Sequence, residues 1–542
     1  MSEYIPKKES VYLKKPWLEF YPEGVSHQIE IPSLTIFDLL ERTVSKYPSK
    51  IALIDGERNI NYSDLKLYCE RVAISLYKQG FRKGDRIALM IPTSLEYVIS
   101  FFAIQRLGAV VVQLNPNFQP AEIESLLRNS ETNGLIAFHE EKDKLMKTGL
   151  TNHIKFISAD EDRKEDMNLY KWINNETDKL IFSEVFPEDL AIITFTGGTT
   201  GFPKGVMITH LNLVSNLYQS FETNRQLLQL EGHCQLGISP VYHGMGLFSL
   251  IQAVMIGASF VSIRKFEIKH LLDLIRIHRP TIFTGSPTTY IALLNNPDRK
   301  KEDLSCFKIC VCGSAPLPIE VIKSFAEQTG VQITEGYGLS EATTGAIRNP
   351  FSGKKKVGSV GLPMPNTDVR IVDTLTGENE IPVGEQGEII IKGPQVMKGY
   401  WKNQQETEKT IRNGWLYTGD IGIMDEEGYF YIVGRKKEMI ITGGFNVYPV
   451  EIENVIYQHP AVQEACVYGV PDPYRGETIK VAIALKNDFS VTVEEIQTWC
   501  KERLTRYKIP RIVEFRKSLP KTTVGKILRK QLKDEEINKV DT

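Results

Sequence analysis

The chain has 542 residues, more than one compact core accommodates, so two or more domains are expected. Apolar residues make up 42% and charged residues 24%, an ordinary globular balance, and the net charge of −2 gives no global basic field for nucleic acid or an anionic membrane. Seven scattered cysteines (Cys69, Cys234, Cys306, Cys310, Cys312, Cys466 and Cys500) form no CxxC pair, which predicts reduced, mostly buried thiols and a cytoplasmic location.

The opening MSEYIPKKESVYLKK is charged and lacks an apolar h-region, so no signal peptide is expected. Residues 36–50 carry a helical apolar pattern ended by Pro48, and amphipathic stretches follow at 63–79 and 94–107. DRIALMIP, AVVVQLNP, GLIAFH and AIITFT are short apolar runs between helical stretches, the pattern of parallel α/β layers. The polar segment 158–180 predicts a surface insertion. The uncharged stretch 232–263 contains Pro240, two histidines, two glutamines and five glycines, so it predicts a buried helix and strand rather than a membrane span. From about 357 short alternating strands predict a smaller β-rich unit. After GRKKEMIITGG at 434–444 comes a compact α/β pattern of about 100 residues, a length that folds alone.

The stretch TFTGGTTGFPKGV at 194–206 follows directly on the last of the apolar runs. Its glycines allow close backbone approach, and clustered N–H groups form an anion nest. Thr196, Thr199 and Thr200 add hydroxyl donors and Lys204 a mobile positive charge, a set suited to a polyphosphate. It is not a Walker A loop, which places Ser or Thr after Gly-Lys, and no GxGxxG is present.

This stretch resembles the phosphate-binding signature of the adenylate-forming enzymes, which include acyl-CoA synthetases, peptide-synthetase adenylation domains and luciferases. Gly197 stands where Ser is usual, as in bacterial long-chain fatty acyl-CoA ligases. Further motifs follow in family order: PVYHGMG, GSAPL, EGYGLSEAT, WLYTGD, GRKKEMI, GGFNVYP and PKTTVGKILRK. The likeness covers about 36 to 530. It implies an α/β fold with a large N-terminal domain of layered sheets plus a β-rich subdomain (1–434), a hinge (435–440) and a small mobile C-terminal α+β domain (441–542).

The resemblance also implies site roles. Thr196, Gly197, Gly198, Thr199, Thr200, Gly201 and Lys204 would hold ATP phosphates. Gly313, Ser314 and Ala315 would approach adenine and the acyl group, which Tyr242, His243 and Gly244 would also line. Glu335, Gly336, Tyr337, Gly338 and Ser340 belong to the nucleotide site. A flat Tyr ring between glycines suits stacking on adenine. Glu341, a hard oxygen donor, would bind Mg²⁺ together with Thr200. Asp420 and Arg435 would meet the ribose, Lys437 would act at the hinge, and Lys526 would stabilise charge at the reacting phosphorus. Lys265, Gly443 and Gly444 would serve coenzyme A. The implied activity is ATP-dependent ligation of a medium- to long-chain fatty acid to CoA through acyl-AMP. The motifs leave open an aryl or short-chain acid and a carrier-protein acceptor, whereas the intact set Lys204, Glu341, Asp420, Arg435 and Lys526 argues against a non-enzymatic nucleotide binder. No nucleic-acid partner is expected, peripheral membrane contact stays open, and the assembly expected is a monomer or homodimer.

Overall fold

The computed structural model describes residues 10–150, 153–163, 165–196, 203–313, 317–486, 489–522 and 525–540. Among these, nine strands form one sheet, in the order Leu362–Pro363, Ile347–Arg348, Ile333–Tyr337, Ile309–Cys312, Ile282–Gly285, Cys234–Gly237, Ser259–Ser262, Ile51–Asp55 and Arg58–Asn61. Its centre is parallel, whereas the pairings that involve Ile347–Arg348 and Arg58–Asn61 are antiparallel. A seven-stranded sheet runs from Gly399–Tyr400 through Lys204–Thr209, Leu190–Thr196, Val110–Gln113, Arg86–Met90 and Gly134–Ala137 to Lys155–Ser158. Parallel strands covered on both faces read as near-continuous apolar runs, which is why VVVQ and GLIA are buried at every position.

The helix Leu95–Leu107 is buried at every position except Arg106. Ser94 caps its start by accepting from the Tyr97 N–H, and Gly108 closes it in the left-handed region at φ 75°. A helix without a polar face belongs inside, and its hydrogen bonds tie the two sheets together. The Tyr97 hydroxyl donates to the Val241 carbonyl at 3.0 Å, and the Gln113 amide donates to the same carbonyl at 3.0 Å. Thr93 accepts from the Val241 N–H. The backbone just before Tyr242 and His243 is therefore fixed from three elements. The uncharged stretch 232–263 forms strand Cys234–Gly237, buried helix Gly244–Ile256 and strand Ser259–Ser262. No helix among the described residues is long and apolar enough to cross a membrane.

A third sheet orders Asp368–Val372, Gly387–Lys392, Trp415–Met424 and Ile411–Arg412, and Phe430–Arg435 pairs with the Asp420–Met424 part of the long strand. The C-terminal sheet joins Phe445–Val447, Ile440–Thr442, Gly476–Leu485 and Val462–Asp472, with Ile512–Arg516 parallel to Gly476–Leu485. Helices Pro449–Tyr457 and Val493–Lys501 bury Ile452, Ile456, Ile496 and Cys500 against this sheet, a core separate from those of the larger unit.

The segment 158–180 departs from the expected surface insertion. Helix Leu169–Asn175 buries Leu169, Trp172 and Ile173, and Asn168 caps it by accepting from the Lys171 N–H at 2.9 Å. Arg71 of helix Tyr62–Lys78 donates to the Ile173 carbonyl at 2.6 Å. Polar composition hid a short apolar face carried by three residues. Trp172→Ala should lower unfolding stability by about 3 kcal/mol, a large-to-small core loss. Lys171→Ala, on the exposed face, should stay within about 0.5 kcal/mol of wild type. Denaturant titration of both variants checks this, and equal small effects would mean that the helix is only loosely attached.

Candidate active site

The strand Ile333–Tyr337 delivers Glu335, Gly336 and Tyr337 to the C-terminal edge of the large sheet. Gly338 follows, where an added Cβ would lie 1.6 Å from the Thr344 carbonyl oxygen, so only glycine permits this turn. Ser340–Ala342 forms a short 3-10 turn, after which Thr343 adopts φ 63°. A bond from the Thr343 hydroxyl to the Gln395 carbonyl at 2.7 Å holds that uncommon conformation. The turn carries Glu341, whose backbone carbonyl accepts from the Met397 N–H at 2.8 Å. Its carboxylate accepts from the Tyr400 hydroxyl at 2.9 Å.

Tyr400 connects Glu341 to Lys204. Strand Gly399–Tyr400 pairs with Lys204–Thr209, and the Lys204 ammonium stands 5.0 Å from the Tyr400 ring centroid. Lys204 also forms an ion pair with Glu406, whose other oxygen accepts from Lys409 at 3.1 Å. These two lysines, Lys204 foremost, hold the Glu406 carboxyl below the ordinary carboxylate range. Thr196 lies opposite Lys204 on the neighbouring strand. Gly197, Gly198, Thr199, Thr200 and Gly201 of the expected phosphate loop, and Ser314 and Ala315, lie outside the described residues.

A second cluster forms where two units meet. Antiparallel pairing of Trp415–Met424 with Phe430–Arg435 sets Asp420 opposite Arg435. Arg435 Nε lies 3.0 Å from Asp420 Oδ1, and the Tyr337 hydroxyl donates to Asp420 Oδ2 at 2.6 Å. The Asp420 side chain is only 4% exposed. Burial lifts its pKa above the usual aspartate value, and Arg435, Tyr337 and Lys526 oppose that lift. The Lys526 side chain reaches the cleft from the small unit. Its walls remove part of its hydration and, together with Arg435, pull its ammonium pKa below the ordinary lysine value; Glu438 and Asp420 push the other way. Lys526 precedes helix Arg529–Val540 rather than lying on it.

These groups open onto a cavity of about 480 Å³ lined from both units, by Glu335, Tyr337, Asp420 and Arg435 on one side and Glu453 and Lys526 on the other. Gly525 packs so closely that an added Cβ would stand 2.2 Å from Thr288 Oγ1. Tyr242 and His243 sit at the start of helix Gly244–Ile256 with ring centroids 4.9 Å apart. Burial lowers the His243 pKa to about 4, so the imidazole is neutral at pH 7. A Cβ on Gly244 would lie 3.4 Å from the Thr343 carbonyl oxygen, and one on Gly313 would lie 3.4 Å from Met245 Sδ. The Tyr242–Met245 segment thus abuts both the turn that carries Glu341 and the strand end at Gly313.

Other expected residues stand apart. Gly443 and Gly444 form the open turn between Ile440–Thr442 and Phe445–Val447, with φ of 57° and 84° and nothing within 4 Å of an added Cβ. Lys265 is 83% exposed and pairs with Glu267. Lys437 lies in the short 3-10 turn Lys436–Glu438. Sequence reasoning assigned no role to Tyr400 or Glu406. It also overlooked Arg529, which donates to both oxygens of Glu453 at 2.8 and 3.1 Å and pairs with Glu438. Arg529 follows Lys526 within the quoted PKTTVGKILRK motif, where a basic cluster masked it; nothing local marked Glu406.

One carboxyl of the cavity is pushed up. Burial raises Glu335 to about 7, although the backbone N–H groups of Gly358 and Leu317 favour its charged form. A carboxyl with a pKa raised from 4.5 to about 7 keeps its proton longer in the folded state, so stability falls as pH rises through that window. Glu335→Gln should therefore unfold later than wild type at pH 8, by about 1–2 kcal/mol after allowance for partial accessibility. The difference should shrink steadily as pH falls and vanish about one unit below the ordinary glutamate value of 4.5, where the carboxyl is neutral in both folded and unfolded chains. Thermal melts at the two pH values check this, and a pH-independent offset would refute the assignment.

The model for the AMP-binding enzyme family matches residues 40–401, and that for the AMP-binding enzyme C-terminal domain matches 451–526. The chain is 39% identical to a long-chain-fatty-acid–CoA ligase of Bacillus subtilis strain 168, over 96% of this chain and 98% of that protein. Among solved structures it resembles ATP-bound MatB from Rhodopseudomonas palustris at 30% identity, covering 93% of this chain and 99% of that one, with a TM-score of 0.85. The apo form of MatB has the same identity and coverage, with a TM-score of 0.76.

Proposed function

We propose, for a chain that belongs to the AMP-binding enzyme family, an ATP-dependent acid–CoA ligase that takes a medium- to long-chain fatty acid, in the cytoplasm. The observation that carries the chemistry is the meeting of Lys526, from the small unit, with Asp420, Arg435 and Tyr337 of the large one around a single cavity. Support for the substrate comes from the near full-length likeness to the Bacillus subtilis ligase.

In the first step a carboxylate oxygen of the fatty acid attacks the α-phosphorus of ATP. The bond to the bridging oxygen breaks, and acyl-AMP and pyrophosphate form. In the second the CoA thiolate attacks the acyl carbon and AMP leaves. A carboxylate is a poor acyl donor, and the mixed anhydride supplies the leaving group it lacks. The protein contributes position and charge. Asp420 accepts from the ribose hydroxyls with Arg435 beside it, and Lys526 faces the charge that builds on phosphorus. Lys204 turns from Glu406 to the departing pyrophosphate. The Glu341 carboxylate, oriented by Tyr400, and the Thr200 hydroxyl suit Mg²⁺, an ion that takes few protein oxygens and completes its shell from substrate phosphates, where it would neutralise pyrophosphate charge. Neutral His243 and Tyr242 flank the acyl entrance.

Lys526 lines this cavity and the Gly443–Gly444 turn does not, an arrangement suited to the first step. Rotation about the Lys436–Glu438 turn brings Gly443 to the path of the thiol in the second. The test is acyl-dependent AMP release across C2 to C20 acids, benzoate and cinnamate, with and without CoA, followed by the two half-reactions in variants. Release should peak in the C10–C18 region and require CoA for turnover. Lys526→Ala should lower acyl-dependent pyrophosphate exchange by about 100-fold or more, as loss of an electrostatic group at the reacting centre does. It should spare thioester formation from supplied acyl-AMP. Gly443→Trp should do the reverse. A maximum at acetate or an aryl acid would overturn the substrate, and equal damage to both steps in both variants would overturn the division of labour.

A further inference from the structure

Arg348 is a cation that the chemistry above does not use. It ends the short strand Ile347–Arg348, beside Gly336, and its side chain reaches Ser220 of helix His210–Glu222. Nη2 donates to the Ser220 hydroxyl at 2.8 Å, and the same hydroxyl accepts from the Gln252 amide at 2.9 Å. The same guanidinium lies 3.9 Å from the Met364 sulfur. Burial alone lowers its pKa to about 10, with no carboxylate offsetting it, and Glu222, on the same helix as Ser220, is already paired with Arg225. A desolvated guanidinium facing only neutral partners is costly unless an anion completes it.

A second cation lies close by. Lys355 donates to Thr334 at 3.3 Å, and its pKa too is lowered by burial. Arg348 and Lys355 each stand 5.8 Å from the Phe351 ring centroid. Around them Phe221, Ile256, Val311 and Phe351 pack against a small apolar cluster yet keep part of their surface accessible. Two cations that form no ion pair among the described residues thus border a partly accessible apolar cluster.

Its position relates it to the acyl entrance. Gln252 stands about 12 Å along the helix axis from Gly244. A chain that passes Tyr242 and His243 and follows this helix meets Arg348 after about ten carbons. We propose that Arg348, with Lys355 behind it, is a specificity-determining residue that receives an anionic group at the far end of the acyl chain, so that α,ω-dicarboxylic acids of about ten to sixteen carbons are substrates. This rests on the acid–CoA ligase reading of the same site. A terminal carboxylate supplies the missing counter-charge, whereas a methyl terminus leaves both cations unpaired.

The test compares kcat/KM for each monocarboxylic acid from C8 to C18 with that for the matching ω-dicarboxylic acid, read as AMP release in the presence of CoA. Wild type should use the diacid at least as well as the monoacid at one chain length within this range. Arg348→Met should lower the diacid-to-monoacid ratio at that length by about 10-fold, the loss of one charge-assisted hydrogen bond. Lys355→Met should lower it in the same direction by less. Thermal melts establish that each variant is folded, and the wild-type panel and Lys355→Met carry the test if Arg348→Met is not. Diacids that are poor substrates at every length, or a ratio unmoved by either substitution, overturn the inference while the monoacid activity upholds the ligase reading. Inactivity towards every acid overturns both.

Discussion

The site depends on one buried carboxylate. Asp420 is cut off from water by strands of the third sheet, and a lone charge there would be expelled or protonated. Its surroundings oppose that outcome from three directions: Arg435 across the strand pair, Tyr337 from the large sheet, and Lys526 from the small unit. The same contacts define a meeting point. Each partner comes from a different element, so the charge balance of Asp420 registers whether the small unit is docked. With Lys526 withdrawn, Asp420 loses one of the charges that keep it ionised, and a ligand with hydroxyl donors then offsets more of its cost.

Docking does not make the small unit soft. Arg529 joins Glu453 of helix Pro449–Tyr457, Glu438 of the 3-10 turn and the Val467 carbonyl, so the segment bearing Lys526 and the connecting turn are bound to one body. In the proposed rotation, movement would concentrate at the start of the Lys436–Glu438 turn, and the Gly443–Gly444 turn would travel with Lys526. The arrangement is economical in charge: Arg435 belongs to the large unit and Glu438 to the small one, and both influence Lys526. On the other side of the site the Glu341–Tyr400–Lys204–Glu406 series performs a comparable service, giving each charge a partner before any phosphate is present.

Much of this was legible in sequence because it rests on short-range rules. Helix Ile36–Lys46, strands such as Val110–Gln113 and the buried helix Gly244–Ile256 follow from periodicity and from the glycine that ends a helix. Tyr337, Glu341, Asp420, Arg435 and Lys526 were singled out by the resemblance of their motifs to the adenylate-forming enzymes, and Tyr337, Asp420, Arg435 and Lys526 line one cavity. What escaped was long-range or compositional. Asp420 lies within strand Trp415–Met424, where a register irregularity follows it and Arg435 faces it, a pairing the WLYTGD motif alone does not encode. Glu406 meets Lys204 only because strand Gly399–Tyr400 crosses to Lys204–Thr209, a pairing that no local pattern encodes. Leu169, Trp172 and Ile173 were lost among charged neighbours, and Arg348 carries no signal until its missing counter-charge is seen.

The central claim is that the docked position of the small unit serves acyl-AMP formation and must be left for thioester formation. A reversible lock tests it directly. An added Cβ on Gly525 lies 3.4 Å from the Thr288 Cβ, near the span of about 3.5–4.5 Å that a disulfide bridges. In the Thr288→Cys, Gly525→Cys double variant, oxidation should preserve acyl-dependent pyrophosphate exchange and suppress CoA-dependent acyl transfer, and reduction should restore the transfer. Undiminished acyl-CoA formation by the oxidised, cross-linked protein would contradict the account.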